Sequence, residues 1–149
     1  MRLRLLSALA VTTIVIGAGA SAASAAQSST VLGQWKKAEA AFSPADTVWS
    51  KIIDSSTAPK LANLQKANRT FASAVGTFDT ALGKIHFTGK TKTDIASLIK
   101  LEKQTITILD NTKSLKSFAA ELGPLFQKYT ALQGALGKDL GIPTGEIII

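Results

Sequence analysis

Glu102 is the residue least in keeping with its surroundings. It falls among Leu98, Ile99, Ile106 and Leu109, on the apolar stripe of a helical segment. A carboxylate there must be paired, hydrated or raised in pKa. One reading makes Glu102 the polar floor of a small pocket. The other rotates it to the rim of a bundle or pairs it with Lys128. Trp35 and Trp49 share one face of another helical segment. By type they are core, or they join Glu102 in lining a pocket for a small apolar ligand.

Other chemistry is harder to assemble. His86 is the sole histidine, there is no cysteine, and the single methionine is Met1. A structural zinc set or a His/Met haem site cannot be built from these residues, and no cofactor or metal is expected. Nucleophile–histidine catalysis would have to use His86, which stands at a helix end without a strand–turn–helix setting. Gly89-Lys90-Thr91 looks like the end of a P-loop, but that motif needs glycine where Lys84 stands, and no strand precedes it. No enzymatic activity is expected. An unrecognised small secreted enzyme is the weakest alternative; isomerases of dicarboxylates, for instance, need several arginine clamps, and Arg69 is the only arginine beyond Arg4.

One surface feature stands out. Lys84, Lys90, Lys92, Lys100 and Lys103 cluster around the segment His86 to Thr93, with Phe87 among them. The functional reading is docking to an anionic envelope polymer, a membrane surface or another protein, with Phe87 as the apolar anchor. The plain reading is solvated lysine. The formal charge is +7, falling to +5 without Arg2 and Arg4. A lysine-dominated surface attracts polyanions but lacks the arginine forks that read phosphates and bases, so no specific nucleic-acid partner is expected.

These residues are positioned by helices. Leu61, Leu64, Phe71, Val75, Phe78, Leu82 and Ile85 alternate by three and four, with Asn68 in the one vacant place. That is the seam of a helix packed on other helices. Asn68 sets register there, or donates to the Ala40 carbonyl freed by Pro44. Val31, Trp35, Ala38, Phe42, Ala45, Trp49 and Ile52 keep the same spacing across Ser43-Pro44. The pattern predicts one helix over 28–54 kinked near Pro44, or two short helices capped by Ser43. Ser55-Ser56-Thr57 is expected to cap a second helix running to about Ile85, with Pro59 in its first turn. A third starts at Thr93-Asp94. A fourth carries Leu115, Phe118, Leu122, Leu125, Tyr129, Leu132 and Leu136, kinks near Pro124, and ends at Gly141-Ile142-Pro143. Short turns make this an all-α, up-down-up-down four-helix bundle.

The bundle is expected to occupy residues 27–149 and to follow a signal peptide over 1–26. Arg2 and Arg4 precede an apolar run from Leu5 to about Ala20, and Ala23-Ser24-Ala25 has the small-residue form of a cleavage site. The reading is a secreted or cell-envelope protein cleaved near Ala25 or Ala26. The alternative keeps residues 1–25 as a membrane anchor, although the apolar run falls short of the ~20 residues a spanning helix needs. The tail Thr144 to Ile149 is read as a frayed or loosely docked terminus, or as an edge for pairing with another chain.

Residues 81–143 resemble small secreted helical proteins of actinobacteria that have no assigned activity. The likeness rests on Leu82-Gly83-Lys84-Ile85-x-Phe87, on Asp94-Ile95-x-x-Leu98-Ile99, and on the closing Leu136-Gly137-Lys138-Asp139-Leu140-Gly141-Ile142-Pro143. Thr88 stands where a proline often follows the aromatic. The resemblance implies an exported bundle and brings no catalytic residues. The sequence thus predicts a non-catalytic protein acting by binding or as an envelope component, with a carrier of a small apolar ligand as the first alternative.

Overall fold

The computed structural model describes residues 28–55 and 57–142. The leader reading of residues 1–26 and the reading of the tail 144–149 lie outside them. The described residues form four helices and no strand: α1 (Ser29–Ile53), α2 (Leu61–Leu82), α3 (Gly89–Asp110) and α4 (Leu115–Leu140). No helix among them is long and apolar enough to cross a membrane.

Contacts fix the directions. Near one end of the bundle, Trp49 of α1 stacks on Phe71 of α2 at 4.4 Å; near the other, Trp35 meets Phe78 edge-on at 5.8 Å. The two helices are therefore antiparallel. Asn68 of α2 reaches Leu109 and Thr112 at the far end of α3. Lys90 of α3 lies 3.9 Å from Asp139 at the end of α4. Each helix thus runs against the next, and the bundle is up-down-up-down.

The seam of α2 lies where the spacing places it: Leu64, Asn68, Phe71, Val75, Phe78 and Leu82 are buried. α1 is one helix through Pro44, and α4 runs unbroken through Pro124. Both prolines are exposed, as are Ala40 and Ala120 four residues earlier. The freed carbonyls lie on the solvent side, where water can take the place of the lost donor. Asn68 is not needed there, and its side chain bonds elsewhere.

Ser28 and Ser114 cap α1 and α4, each hydroxyl accepting from the amide three residues on. The other two starts differ from expectation. α2 begins at Leu61 with Lys60 at the cap, leaving Pro59 and Thr57 outside. It ends at Leu82, so Ile85 belongs to the turn. α3 begins at Gly89 rather than Thr93. Gly89 turns the chain at φ +57°, a conformation most other residues resist. Thr91 is then buried one turn before Ile95. In α1, Ile53 is buried and Ile52 only half so, a slip of one residue at the last turn.

Phe87 is also corrected. It is 5% exposed and meets Trp35 edge-on at 6.5 Å. The turn between α2 and α3 folds inward over the end of the core, because Trp35 and Phe78 leave an apolar floor there. Phe87 is a plug and cannot anchor a surface patch.

Candidate functional site

Backbone packing is close between α1 and α2, α2 and α3, and α3 and α4, and looser between every other pair. The bundle closes between α1 and α4 through side chains, with Trp49 edge-on to Phe118 at 6.3 Å. Beside that contact lies a cavity of about 40 Å³ to which all four helices contribute. Phe42 and Trp49 come from α1, Phe71 and Val75 from α2. Glu102 and Thr105 come from α3, and Leu122, Leu125 and Tyr129 from α4. Asp46 and Phe126, both half-buried, mark the solvent side. The space holds roughly two or three waters.

Glu102 stands in this wall at 2% exposure. Its partner is not Lys128, which is exposed, but Asp79 of α2, within hydrogen-bonding reach. Glu102 Oε2 and Asp79 Oδ1 are buried and have no hydrogen-bond partner among the described residues. Two carboxylates have no donor to offer each other; one proton between them satisfies both. Burial, then the hydrogen bond and charge of Asp79, push Glu102 up to about 10. The site therefore favours the neutral form of Glu102. Burial also raises Asp46. It raises the Tyr129 phenol too, against a hydrogen bond with Thr105 and with help from the Glu102 and Asp79 charges. Tyr129 Oη and Thr105 Oγ1 lie 2.9 Å apart, and Thr105 Oγ1 reaches the Leu101 carbonyl at 3.2 Å.

A second buried polar cluster lies at the end where α1 turns into α2. Trp49 Nε1 donates to Asn68 Oδ1 at 2.8 Å, and Asn68 Nδ2 donates to Thr112 Oγ1 at 2.9 Å and to the Leu109 carbonyl at 3.5 Å. Thr112 Oγ1 donates to the Ile108 carbonyl at 3.0 Å, and Gln65 Nε2 to the Thr112 carbonyl at 2.8 Å. Neutral donors and acceptors here match one for one. The cluster ties α1, α2 and α3 in register.

Of the pocket residues the sequence suggests, Trp49 and Glu102 meet at the cavity. Trp35 does not: it is fully buried against Phe78 and Phe87, with its indole N–H lacking a partner among the described residues. Sequence reasoning missed Asp46 and Asp79. Asp79 is the only acidic residue of α2 and lies seven residues after buried Ala72. That spacing was its signal.

The patch of five lysines and Phe87 loses three members. Phe87 is core, and Lys90 forms an ion pair with Asp94 and lies near Asp139. Donating a hydrogen bond to Asp94 raises the Lys90 ammonium above its ordinary value. Lys92, Lys100 and Lys103 are exposed on α3. Lys84 instead borders, with Lys37, an open groove of about 560 Å³ along α1 and α2, floored by Ala38, Ala41 and Gly76. His86 is exposed in the turn. Among the described residues no three of His, Cys, Asp and Glu are grouped to hold a metal ion.

Comparison with known proteins yields no match to a family model, a curated protein or a solved structure.

Proposed function

We propose that this is an exported, non-catalytic binding protein whose site is the seam between α1 and α4. One observation carries the reading. In a bundle whose core is otherwise apolar or fully hydrogen-bonded at this level, a small cavity with a buried acid in its wall opens where the helix backbones do not pack. Buried polar groups without partners are rare in cores and concentrate at sites that do something. At about 40 Å³ the enclosed space is far below a pocket of a few hundred Å³ for a whole drug-sized molecule. It takes one small group, and the remainder of a ligand lies along the seam. The resemblance of residues 81–143 to small secreted actinobacterial proteins points the same way.

Native mass spectrometry of the protein recovered from its host tests this. The expected mass starts near Ala26 or Gln27 and carries an added small molecule. A bare mature chain would count against the seam. A chain retaining residues 1–25 in the membrane fraction would remove export.

A second reading rests on the exposed Lys92, Lys100 and Lys103 of α3. They form a cationic face for an anionic envelope polymer or membrane surface, now without an apolar anchor. Binding of dextran sulfate that weakens steeply with salt is the expected result; absent or salt-insensitive binding ends this reading.

A further inference from the structure

We propose that the seam between α1 and α4 binds a primary alkylammonium ion, its charged end inward between Glu102 and Asp46. The proposal rests on the seam being a binding site and adds the chemistry of what enters it.

The wall selects for positive charge. Glu102 and Asp46 contribute two carboxyl groups, and none of the residues lining the cavity is basic. Phe42, Trp49 and Tyr129 add aromatic rings, whose faces attract cations. An anion meets only acceptors. A neutral apolar molecule brings Glu102 Oε2 no donor beyond the proton shared with Asp79. A metal ion lacks a ligand set among the described residues. An ammonium group brings three donors on a centre about the size of a water, which suits both the orphaned oxygen and the 40 Å³ space. Its alkyl stem then lies against Leu122, Leu125 and Phe126 along the seam.

Entry of the cation displaces the proton that Glu102 and Asp79 share. The bond broken is the acid O–H; the proton goes to solvent, and the buried charge stays balanced. The titratable groups facing Glu102 are Asp46 of α1, Asp79 of α2 and Tyr129 of α4, with neutral Thr105 beside it on α3. No base among them competes for the proton. Binding therefore tightens as pH rises, by up to ten-fold per unit, until the amine itself loses its charge.

Trp35→Phe leaves Trp49, in the cavity wall, as the sole tryptophan reporter. Its fluorescence is followed on titration with n-butylammonium chloride and, separately, with n-butanol, at pH 8 and constant ionic strength. The ion is expected to bind about ten-fold or more tightly than the alcohol, the gain of one charge-assisted hydrogen bond. A pH dye in weak buffer should record about one proton released per ion bound. Glu102→Gln, whose amide matches the protonated acid in shape, should abolish the preference for the ion and leave the alcohol unaffected. Equal binding of ion and alcohol would overturn the ammonium proposal and keep the seam as an apolar site. Binding of neither would overturn both. Ion binding unchanged in Glu102→Gln and in Asp46→Asn would place the ion elsewhere and overturn the proposal. If Glu102→Gln does not fold, Asp46→Asn and the proton count decide.

Discussion

The two buried polar clusters both bridge α2 and α3 and differ in how they are completed. Around Asn68, every donor meets an acceptor: indole N–H, amide, hydroxyl and carbonyl form a closed set. Between Asp79 and Glu102, two acceptors face each other and only a proton or an incoming donor completes them. The first arrangement is finished by folding. The second is finished by something drawn from solution. Satisfied networks specify a core; unsatisfied ones couple it to its surroundings.

That contrast can be broken by mutation. Phe78→Ala gives the apolar baseline, since Phe78 is buried between Trp35 and Phe42. A urea titration should show a loss of roughly 3–5 kcal/mol. A loss below about 1 kcal/mol would mean that the α2 seam is assigned to the wrong face. Asn68→Ala should come close behind, at about 2–4 kcal/mol, because the Trp49 N–H and the Thr112 hydroxyl both lose their partner in the core. Its cost should be the same at pH 5 and pH 8. A negligible cost would make the Asn68 cluster ornamental and erase the difference between the two sites.

The acid pair should instead respond to pH. Glu102 titrates near 4.5 in the unfolded chain and near 10 in the folded one. Between those values the folded protein holds the proton more tightly. The stabilisation is complete below the lower value and is lost as pH rises through the upper one, by at most ~1.4 kcal/mol per unit. Burial of Asp46 acts in the same direction. Lys90, raised by Asp94, loses its share only above its ordinary 10.5. Denaturation midpoints should therefore fall from pH 5 to pH 9, and Glu102→Gln should flatten most of that fall. A wild-type midpoint that rises or stays level over this range would show that the pair does not share a proton.

Much of the fold was legible because three-four spacing reports burial directly. Leu64, Phe71, Val75, Phe78 and Leu82 needed no tertiary information, and the same holds for the passage of α1 and α4 through their prolines. Glu102 was legible as an anomaly, since one carboxylate in an apolar stripe breaks the pattern. Its partner was not, because Asp79 lies beside the seam rather than in it, and lateral pairs depend on how neighbouring helices are rotated. Asn68 was legible as a register-setting polar residue but set at the wrong level: counting residues put it beside Pro44, whereas it lies beside Trp49 and accepts from its indole N–H. Gly89 to Thr91 and Phe87 were misread for one reason. Polar letters suggested an exposed turn, whereas a positive φ at Gly89 starts the helix early and leaves Phe87 over the gap beside Trp35.

Tyr129 offers the smallest and sharpest comparison, because it touches the cavity yet belongs by chemistry to the satisfied kind. Its hydroxyl meets Thr105 at 2.9 Å, and Thr105 in turn bonds the Leu101 carbonyl. Tyr129→Phe removes one neutral hydrogen bond at a half-buried position and keeps the ring in the wall, so about 1 kcal/mol is the expected loss. The pH dependence of stability should survive, since the Asp79–Glu102 pair keeps its proton without Tyr129. If the change flattened that dependence as Glu102→Gln does, the phenol would be a third member of the acid cluster. The line between a site completed by folding and one completed from solution would then run through Tyr129 itself.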